Sequence, residues 1–483
     1  MSTRQRLVAG VDSSTQSTLV EIRDLETGVV VASGRAAHPP TTPPRSEQDP
    51  HTWWQAFETA WAAAGAPLVE AISVAGQQHG MVSLDADRAV VRPAKLWNDT
   101  ESAPDAGWLV KQLPGRAADW AAAVGSVPVA AFTATKLSWL HRSEPESWRR
   151  LAHVLLPHDW LTARLTGGLT LGRFVTDRGD ASGTGYWSPA TGEYRWDLLA
   201  LIDRELDWAA VVPRVAGPTE VVGMWNGAKV ACGTGDNMAA ALGLGLGVGE
   251  AAVSLGTSGT AYTVADRPSA DPTGAVAGFA DATGRFLPLV CTLNATKVTD
   301  AVARLLGVDH AGFERLVLDE PAGSAPTMLA YFDGERTPDL PTATGVLSGI
   351  RSDVTRGQFA RSAVEGVVCG LLDALEALAR HAPVTSVVLT GGGARSAAYR
   401  QVFTELCDLP ISVTPAAAGA GGEAVAAGAC VQAAAVAEGV CHADIVERWG
   451  LGGREHVGGV EAPRAGIVRD RYRELRLALH PLS

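Results

Sequence analysis

What this chain lacks narrows the field first. No window approaches the roughly 18 uninterrupted apolar residues that a membrane-spanning helix needs, and the N-terminus has no apolar stretch of signal-peptide type, since Arg4 and Arg6 run straight into a short strand. No membrane partner is expected. The six cysteines, Cys232, Cys291, Cys369, Cys407, Cys430 and Cys441, form no C-x-x-C pair and have no histidine-rich neighbourhood, which excludes a zinc module and a disulfide scaffold and suits buried thiols in a reducing cytoplasm. Basic residues are outnumbered: Lys+Arg 40 against Asp+Glu 52 gives a net charge of −12. Such a surface repels a phosphate backbone, and the basic residues at Arg149-Arg150 and from Arg469 to Arg476 are spaced like polar helix faces, so no nucleic-acid partner is expected. A G-x-x-x-x-G-K-[ST] loop is missing too, which excludes a P-loop protein.

What is present is glycine in particular places. Gly10-Val-Asp-Ser-Ser-Thr-Gln-Ser-Thr18 and Ser254-Leu-Gly-Thr-Ser-Gly-Thr260 each leave a strand-like apolar run through a small, hydroxyl-rich turn. A third run, Leu389-Thr-Gly-Gly-Gly-Ala-Arg-Ser396, follows the strand pattern Ser386-Val-Val-Leu-Thr390. Small residues let backbone N–H groups approach an anion that larger side chains would hold away. Two phosphate-sized turns imply two halves of the chain serving one nucleoside triphosphate.

With 483 residues the chain exceeds one ordinary domain. Apolar alternation predicts strands at 7–12, 17–24 and 29–35. This strand-loop-strand opening differs from the strand-loop-helix of a Rossmann unit. Trp53, Trp54, Phe57, Ala60 and Trp61 repeat at helical spacing and read as a core stripe. A buried strand at 71–75 delivers Gly76-Gln-Gln-His-Gly80 to a sheet end. Residues 100–170 read mostly as helices and 170–187 as strand. A strand at 230–232 leads into Gly233-Thr-Gly-Asp-Asn237 and a helix. The strand-turn-strand grammar restarts at 251–264, followed by helices at 294–307 and 353–381, a strand at 386–390, and Ala- and Gly-rich helices from 397 to 437. The boundary between halves is placed near 245, in the run Gly243-Leu-Gly-Leu-Gly-Val-Gly249. The expected domains are 1–245, 246–435 and a helical extension, 436–483.

Phosphoryl transfer needs phosphate-holding amides, a carboxylate that accepts the nucleophile's proton, and a carboxylate or its waters for a divalent cation. Asp12, just before the first turn, is positioned to reach Mg²⁺ through water. Asp236, opening a helix, is the best general base, although a capping role accounts for its position equally well. Its place at a helix N-terminus predicts a low pKa. Gln78, His79, Trp97, Asn98 and Asp99 make a sugar-binding set, with amides and a carboxylate for hydroxyls and an indole for the apolar face of a polyol.

These stretches, together with Asp180-Ala-Ser-Gly-Thr184 and Tyr331-Phe-Asp-Gly-Glu-Arg-Thr-Pro338 and in this order along residues 7–435, resemble the FGGY carbohydrate kinases. The resemblance implies an α/β fold of two actin-like, ribonuclease-H-type lobes, with ATP between them and the sugar held mainly by the first. It also implies Asp236 as catalytic base, Asp12 as the metal-side aspartate, and Gln78 and His79 as sugar contacts. Trp97, Asn98, Asp99 and Asn237 line the same pocket by this likeness. Ser14, Thr15, Gln16, Gly256, Thr257 and Asn294 fall to the nucleotide's phosphate side, and Gly392, Gly393 and Ala394 to its adenosine. The reaction implied is D-xylulose + ATP giving D-xylulose 5-phosphate + ADP with Mg²⁺, in the cytoplasm, by a possible homodimer. Alternatives are the same chemistry on ribulose, arabinitol or another ketose or polyol, and a non-catalytic actin-like ATPase or sugar sensor. Three positions depart from the family pattern: Leu19 stands where many relatives carry Lys, Ser13-Ser14 replaces an aliphatic-Gly pair, and Glu101 stands where Arg often follows W-N-D.

Overall fold

The computed structural model describes residues 5–169, 172–414, 423–458 and 465–481. The chain divides into two compact units, Met1–Leu246 with Asp266–Leu287 and Ala416–Gly453, and Gly247–Ala265 with Pro288–Pro415 and Arg454–Ser483. The first break falls in the glycine run that the sequence suggested. By its contacts the chain returns twice to the first unit, and 436–453 pack with that unit.

The first unit is built on β1 (Leu7–Ser13), β2 (Ser17–Asp24), β3 (Val30–Ala37), β4 (Ala71–Gly76), β5 (Val221–Trp225), β6 (Ala228–Ala231) and β7 (Thr234–Gly235). The sheet runs β5-β6-β4-β1-β2-β3, with β7 also on β4. β1 and β2 form an antiparallel hairpin, Leu7 opposite Asp24 and Ser13 opposite Thr18. β4 lies parallel to β1, and β7 parallel to β4. Both faces of β1 and β2 are buried: β1 is apolar from Leu7 to Val11, whereas β2 buries the ion pair of Arg23 Nε with Glu21 Oε1 at 2.6 Å. One face packs on the helix Pro50–Ala63, whose Trp53, Phe57 and Ala60 join Val11, Val20, Ile22 and Val74 in the core. The predicted indole stripe is therefore core.

The other face receives the helix Ala424–Glu438, and it approaches backbone to backbone. A Cβ on Gly10 would lie 2.3 Å from the Ala426 carbonyl oxygen, and one on Gly428 would lie 1.9 Å from that of Ala239. Only glycine permits these distances, which explains the Ala/Gly bias of this helix: its residues are chosen for thinness. The same bias hid where the helix belongs, since small residues carry no strong periodic signal.

The second unit repeats the grammar. β8 (Glu250–Leu255) and β9 (Gly259–Thr263) form an antiparallel hairpin, β10 (Phe286–Thr292) pairs with β9, and β11 (Ser386–Thr390) lies parallel to β8. β12 (Ile411–Val413) and β13 (Glu455–His456) extend this sheet. The helix Arg356–Ala379 is opened by a capping box in which Thr355 accepts from the Gln358 N–H, and the Gln358 side chain accepts from the Thr355 N–H. Two expectations fail. The span 172–187 holds only the two-residue strands Val175–Thr176 and Trp187–Ser188 around a helix, Arg178–Ser182, because Asp177 caps that helix through the N–H groups of Gly179 and Asp180. The span 397–437 contains β12 between two helices, with 415–422 outside the described residues. Among the described residues no single helix is long and apolar enough to cross a membrane.

Candidate functional site

Strand register brings together the segments that carry the residues expected to hold the sugar. Asp12 lies beside Ala75 and Ser13 beside Gly76, while Thr234 and Gly235 lie on the other side of the same two residues. The carboxyl ends of β1, β4 and β7 thus open side by side, where α/β sheets place ligands. From these ends emerge the turn 14–16, the segment Gln77-Gln78-His79, and the helix Asp236–Gly243. Three of the quoted motifs meet at one edge.

The polar side chains there are linked. Asn237 Nδ2 donates to Gln78 Oε1 at 2.9 Å and to Asp236 Oδ1 at 2.9 Å. A Cβ on Gly235 would lie 2.7 Å from Gln78 Cγ, so the glycine makes room for the amide. Thr15 Oγ1 accepts from Trp97 Nε1 at 2.8 Å and donates to Gln77 Oε1 at 3.2 Å, tying the first turn to the sugar-side residues. His79 sits at φ 66°, a conformation rare for a non-glycine residue, and its Nδ1 donates to the Gly183 carbonyl at 2.6 Å while its ring packs on Phe132 and Phe279. Buried atoms without a protein partner remain at Gln77 Nε2, Gln78 Nε2 and Asn98 Oδ1. Buried amide atoms left unpaired are costly unless a ligand completes them, and they fit the hydroxyls of a polyol.

Asp99 departs from its expected role. It is fully buried, and its carboxylate is occupied by Lys95 Nζ at 3.0 Å, the Ser46 N–H at 2.9 Å and the Glu101 N–H at 3.1 Å. It fixes the W-N-D loop from within and leaves Trp97 and Asn98 as that loop's outward-facing members. Glu101 completes the same network, accepting from Lys95 Nζ at 2.6 Å and from Arg45. The acid at this unusual position is thus the counter-ion of a buried lysine. Leu19, another of the three departures, is buried opposite Asp12 in β2, with Arg35 opposite it in β3. Arg35 donates to Ser17 Oγ at 2.8 Å and pairs with Glu423.

Electrostatics correct one expectation outright. Asp236 stands in the first turn of its helix with Gly235 as the N-cap residue, and the helix terminus does not hold its pKa down. Burial of its carboxylate, then the negative charge of Asp12 and of Asp180, push it up to about 7. Asp12 is raised to about 7 as well, by burial, although Ser14 Oγ donates to it at 2.5 Å. Desolvation together with a like charge outweighs a partial helix charge. Two carboxylates destabilised as anions, neither in an ion pair among the described residues, are a donor set that suits a hard divalent cation.

In the second unit, the turn of the hairpin β8–β9 leaves Thr257 and Ser258 exposed, and Gly256 O accepts from the Thr296 N–H and hydroxyl, both at 3.0 Å. Gly391 turns the chain out of β11 at φ 81°, and Gly392 has open space where a Cβ would stand. Gly393 and Ala394 are buried, so the open backbone here belongs to Gly391 and Gly392. Asn294 is buried, with Nδ2 donating to Gly334 O at 2.7 Å and to Glu335 Oε2 at 2.9 Å. It secures the G-E-R-T-P segment, and its Oδ1 alone is without a partner.

Sequence reasoning missed one cluster. His158, Asp159, Asp177 and Asp180 lie buried beneath the carboxyl ends of β4 and β7, with His158 Nδ1 at 2.7 Å from Asp180 Oδ2. Asp180 was visible only as part of a quoted motif. A histidine followed by an aspartate near the start of a helix gave no signal that both would be fully buried.

Comparison with known proteins agrees with this geometry. Residues 7–243 match the N-terminal domain of the FGGY family of carbohydrate kinases and residues 251–435 its C-terminal domain. The chain is 47% identical to a xylulose kinase of Streptomyces coelicolor over 96% of its own length and 95% of that protein's. It is also 47% identical to a xylulose kinase of Streptomyces rubiginosus, over 92% and 90% of the two chains. The crystal structure of xylulose kinase from Bifidobacterium adolescentis superposes with a TM-score of 0.83 at 38% identity, covering 98% of this chain and 99% of that one. With both domains matched in order and the fold shared across the whole chain, this protein belongs to the FGGY family of carbohydrate kinases.

Proposed function

We propose that this chain is a cytoplasmic kinase that transfers the γ-phosphoryl group of ATP to D-xylulose, giving D-xylulose 5-phosphate and ADP. One observation carries the reading: at the joined ends of β1, β4 and β7, Asp236 lies within a linked set of amides and is pushed up to about 7 by burial and by Asp12. A base with a pKa near the working pH is best matched to taking a proton from an alcohol. Asp236 Oδ accepts the proton of the sugar hydroxyl as its oxygen forms a bond to the γ-phosphorus and the β,γ-bridging P–O bond breaks. Gln78, His79, Trp97 and Asn98 orient the sugar, and Asn237 holds Asp236 and Gln78 in register. The open amides around Gly256 and Thr257 receive the phosphates, and the backbone at 391–393 borders the adenosine.

Mg²⁺ neutralises charge on the phosphates when bound, and Asp12 is the residue that would hold it, through water. The relatives named above support the choice of D-xylulose, and the orphaned amides support a polyol in general. Coupled ADP-release assays with D-xylulose, D-ribulose, L-ribulose, D-arabinitol and glycerol test the reading. D-xylulose should give the highest kcat/KM. A higher value for another acceptor would reassign the substrate, and turnover with none above the Asp236→Ala background would overturn the kinase reading. The family likeness also suggests a homodimer, which light scattering on the purified chain tests.

A further inference from the structure

Beneath the sugar-side edge lies a histidine for which the proposed chemistry has no use. His158, second residue of the helix Pro157–Thr166, is 0% exposed. Its Nδ1 is 2.7 Å from Asp180 Oδ2, and its Nε2 is 3.2 Å from Asp159 Oδ1 and 3.7 Å from Asp177 Oδ1. Among the described residues no lysine or arginine forms an ion pair with any of these three carboxylates. Three buried acids around one imidazole demand a positive charge there. Burial alone would push the imidazole's pKa down, yet Asp159, Asp180 and Asp177 raise it to about 10.

Two of the acids reach upward. The backbone N–H of His79, the residue held at positive φ, faces the Asp180 carboxylate and favours its ionised form. Asp177 accepts from Thr234 Oγ1 at 2.8 Å, two residues before Asp236, while capping the helix Arg178–Ser182. The residue also fills the space under two glycines. A Cβ on Gly76 would lie 3.0 Å from His158 Cβ, and one on Gly233, at φ 79°, would lie 2.7 Å from His158 Cδ2. Gly76 opens the segment that carries Gln78 and His79, and Gly233 opens the one that carries Asp236. One side chain therefore underlies both.

We propose that His158 is a positioning residue, a buried imidazolium that locks the His79 backbone through Asp180 and the Asp236 segment through Asp177, so that sugar contact and base are held in one geometry. This rests on the roles assigned above to His79 and Asp236. Without the cation, Asp180 is an uncompensated buried charge that turns or takes up a proton, and the His79 N–H no longer faces a fixed negative charge. Acceptor binding then suffers, while the nucleotide, served by other segments, does not.

The test compares wild type, His158→Gln, Asp180→Asn and the double variant in steady-state kinetics with D-xylulose and ATP, each normalised to folded protein. His158→Gln should raise KM for D-xylulose by about 10- to 100-fold, the loss expected when a charge-assisted hydrogen bond is released. KM for ATP should stay within about twofold, and the double variant should be no worse than the poorer single one, because the pair acts as a unit. A merely structural histidine would lower the melting temperature and leave the normalised KM for sugar unchanged, which overturns the proposal, as does additivity. Should the variants fail to fold, ¹⁵N-histidine NMR of the wild type decides: both ring nitrogens protonated at pH 8 support the proposal, and a neutral ring overturns it. Wild-type turnover against an Asp236→Ala control keeps failure of the underlying kinase reading distinct from failure of this one.

Discussion

The turns of the two hairpins, residues 14–16 between β1 and β2 and residues 256–258 between β8 and β9, share a backbone plan and differ in chemistry. Each follows a buried strand that later pairs in parallel with another, β4 for the first and β11 for the second. The first is crowded by side chains of its own unit: Ser14 on Asp12, Trp97 and Gln77 on Thr15 Oγ1, and Gln48 Nε2 on the Thr15 carbonyl at 3.1 Å. The second is held mainly through backbone, Gly256 O and Thr257 O accepting from the first N–H groups of the helix Thr296–Leu306 and the residue before it. The duplicated scaffold thus differs in what it presents: linked side chains at one turn, bare amides at the other, and under the proposed function the second suits an anion while the first is shared between the sugar side and the nucleotide's phosphates. Changes at the first turn's neighbours should act on sugar parameters and chemistry, and changes at the second on ATP alone.

The sharpest break in that division is Asp236→Asn. It should lower kcat by about 10²–10⁴-fold while leaving KM for sugar within a few-fold, since only the proton acceptor is lost. It should not lower the melting temperature, because the folded protein holds this carboxyl at about 7 against an ordinary 3.8 and so carries the ionised form at a cost. Proton binding favours the folded state between those values. Stability contributed by this group therefore rises as pH falls from about 7 toward 3.8, while activity is lost over the same interval.

The pH profile gives the next effect. Asp236 must be ionised to accept a proton, so kcat/KM for sugar should fall about tenfold per pH unit below its midpoint. After burial, the negative charge of Asp12 is the largest cause raising that midpoint. In Asp12→Asn the residual activity should show its acid limb at lower pH, and an unmoved limb would separate the two carboxylates electrostatically.

Packed against the ends that flank the second turn, Gly393→Ala should act more mildly and on the other substrate. The new methyl would lie 2.8 Å from Leu255 Cβ and 2.9 Å from Thr296 Cγ2, pressing on both strand end and helix start. Overpacking of this kind costs about 1–3 kcal/mol of stability. KM for ATP should rise and KM for D-xylulose stay unchanged; a change in sugar KM would show that the turns are not independent.

How far the sequence disclosed this division depends on how local each signal is. Both hairpins and the strand ends carrying Asp12, Gln78 and Asp236 were legible, since apolar runs bounded by small residues depend only on neighbours in the chain. The sign of the shift at Asp236 was not, because the helix terminus is local whereas Asp12 and Asp180 come from segments distant in sequence. Asp99 read as a ligand residue for the same reason: its buried partner Lys95 lies in the next-door strand pattern, but nothing in the sequence says which way the carboxylate turns. The His158 cluster needs three separated segments to meet, and the helix Ala424–Glu438 joins the first unit through glycine contacts that leave no apolar period to read.

Trp97→Phe should give the smallest effect and the finest test of the division. The indole is 38% exposed and donates from Nε1 to Thr15 Oγ1, which in turn donates to Gln77 Oε1. Phenylalanine keeps an apolar surface for the sugar and removes one hydrogen bond, a loss of about 1 kcal/mol or roughly fivefold in an equilibrium constant. If the ring serves the polyol directly, KM for D-xylulose should change by less than that and KM for ATP not at all. If its main work is to hold Thr15, the first turn loosens and KM for ATP rises with it. Comparing Trp97→Phe with Thr15→Val, which removes the same acceptor from the other side, separates the two: matching ATP effects would mean that the first turn serves the nucleotide as well as the sugar.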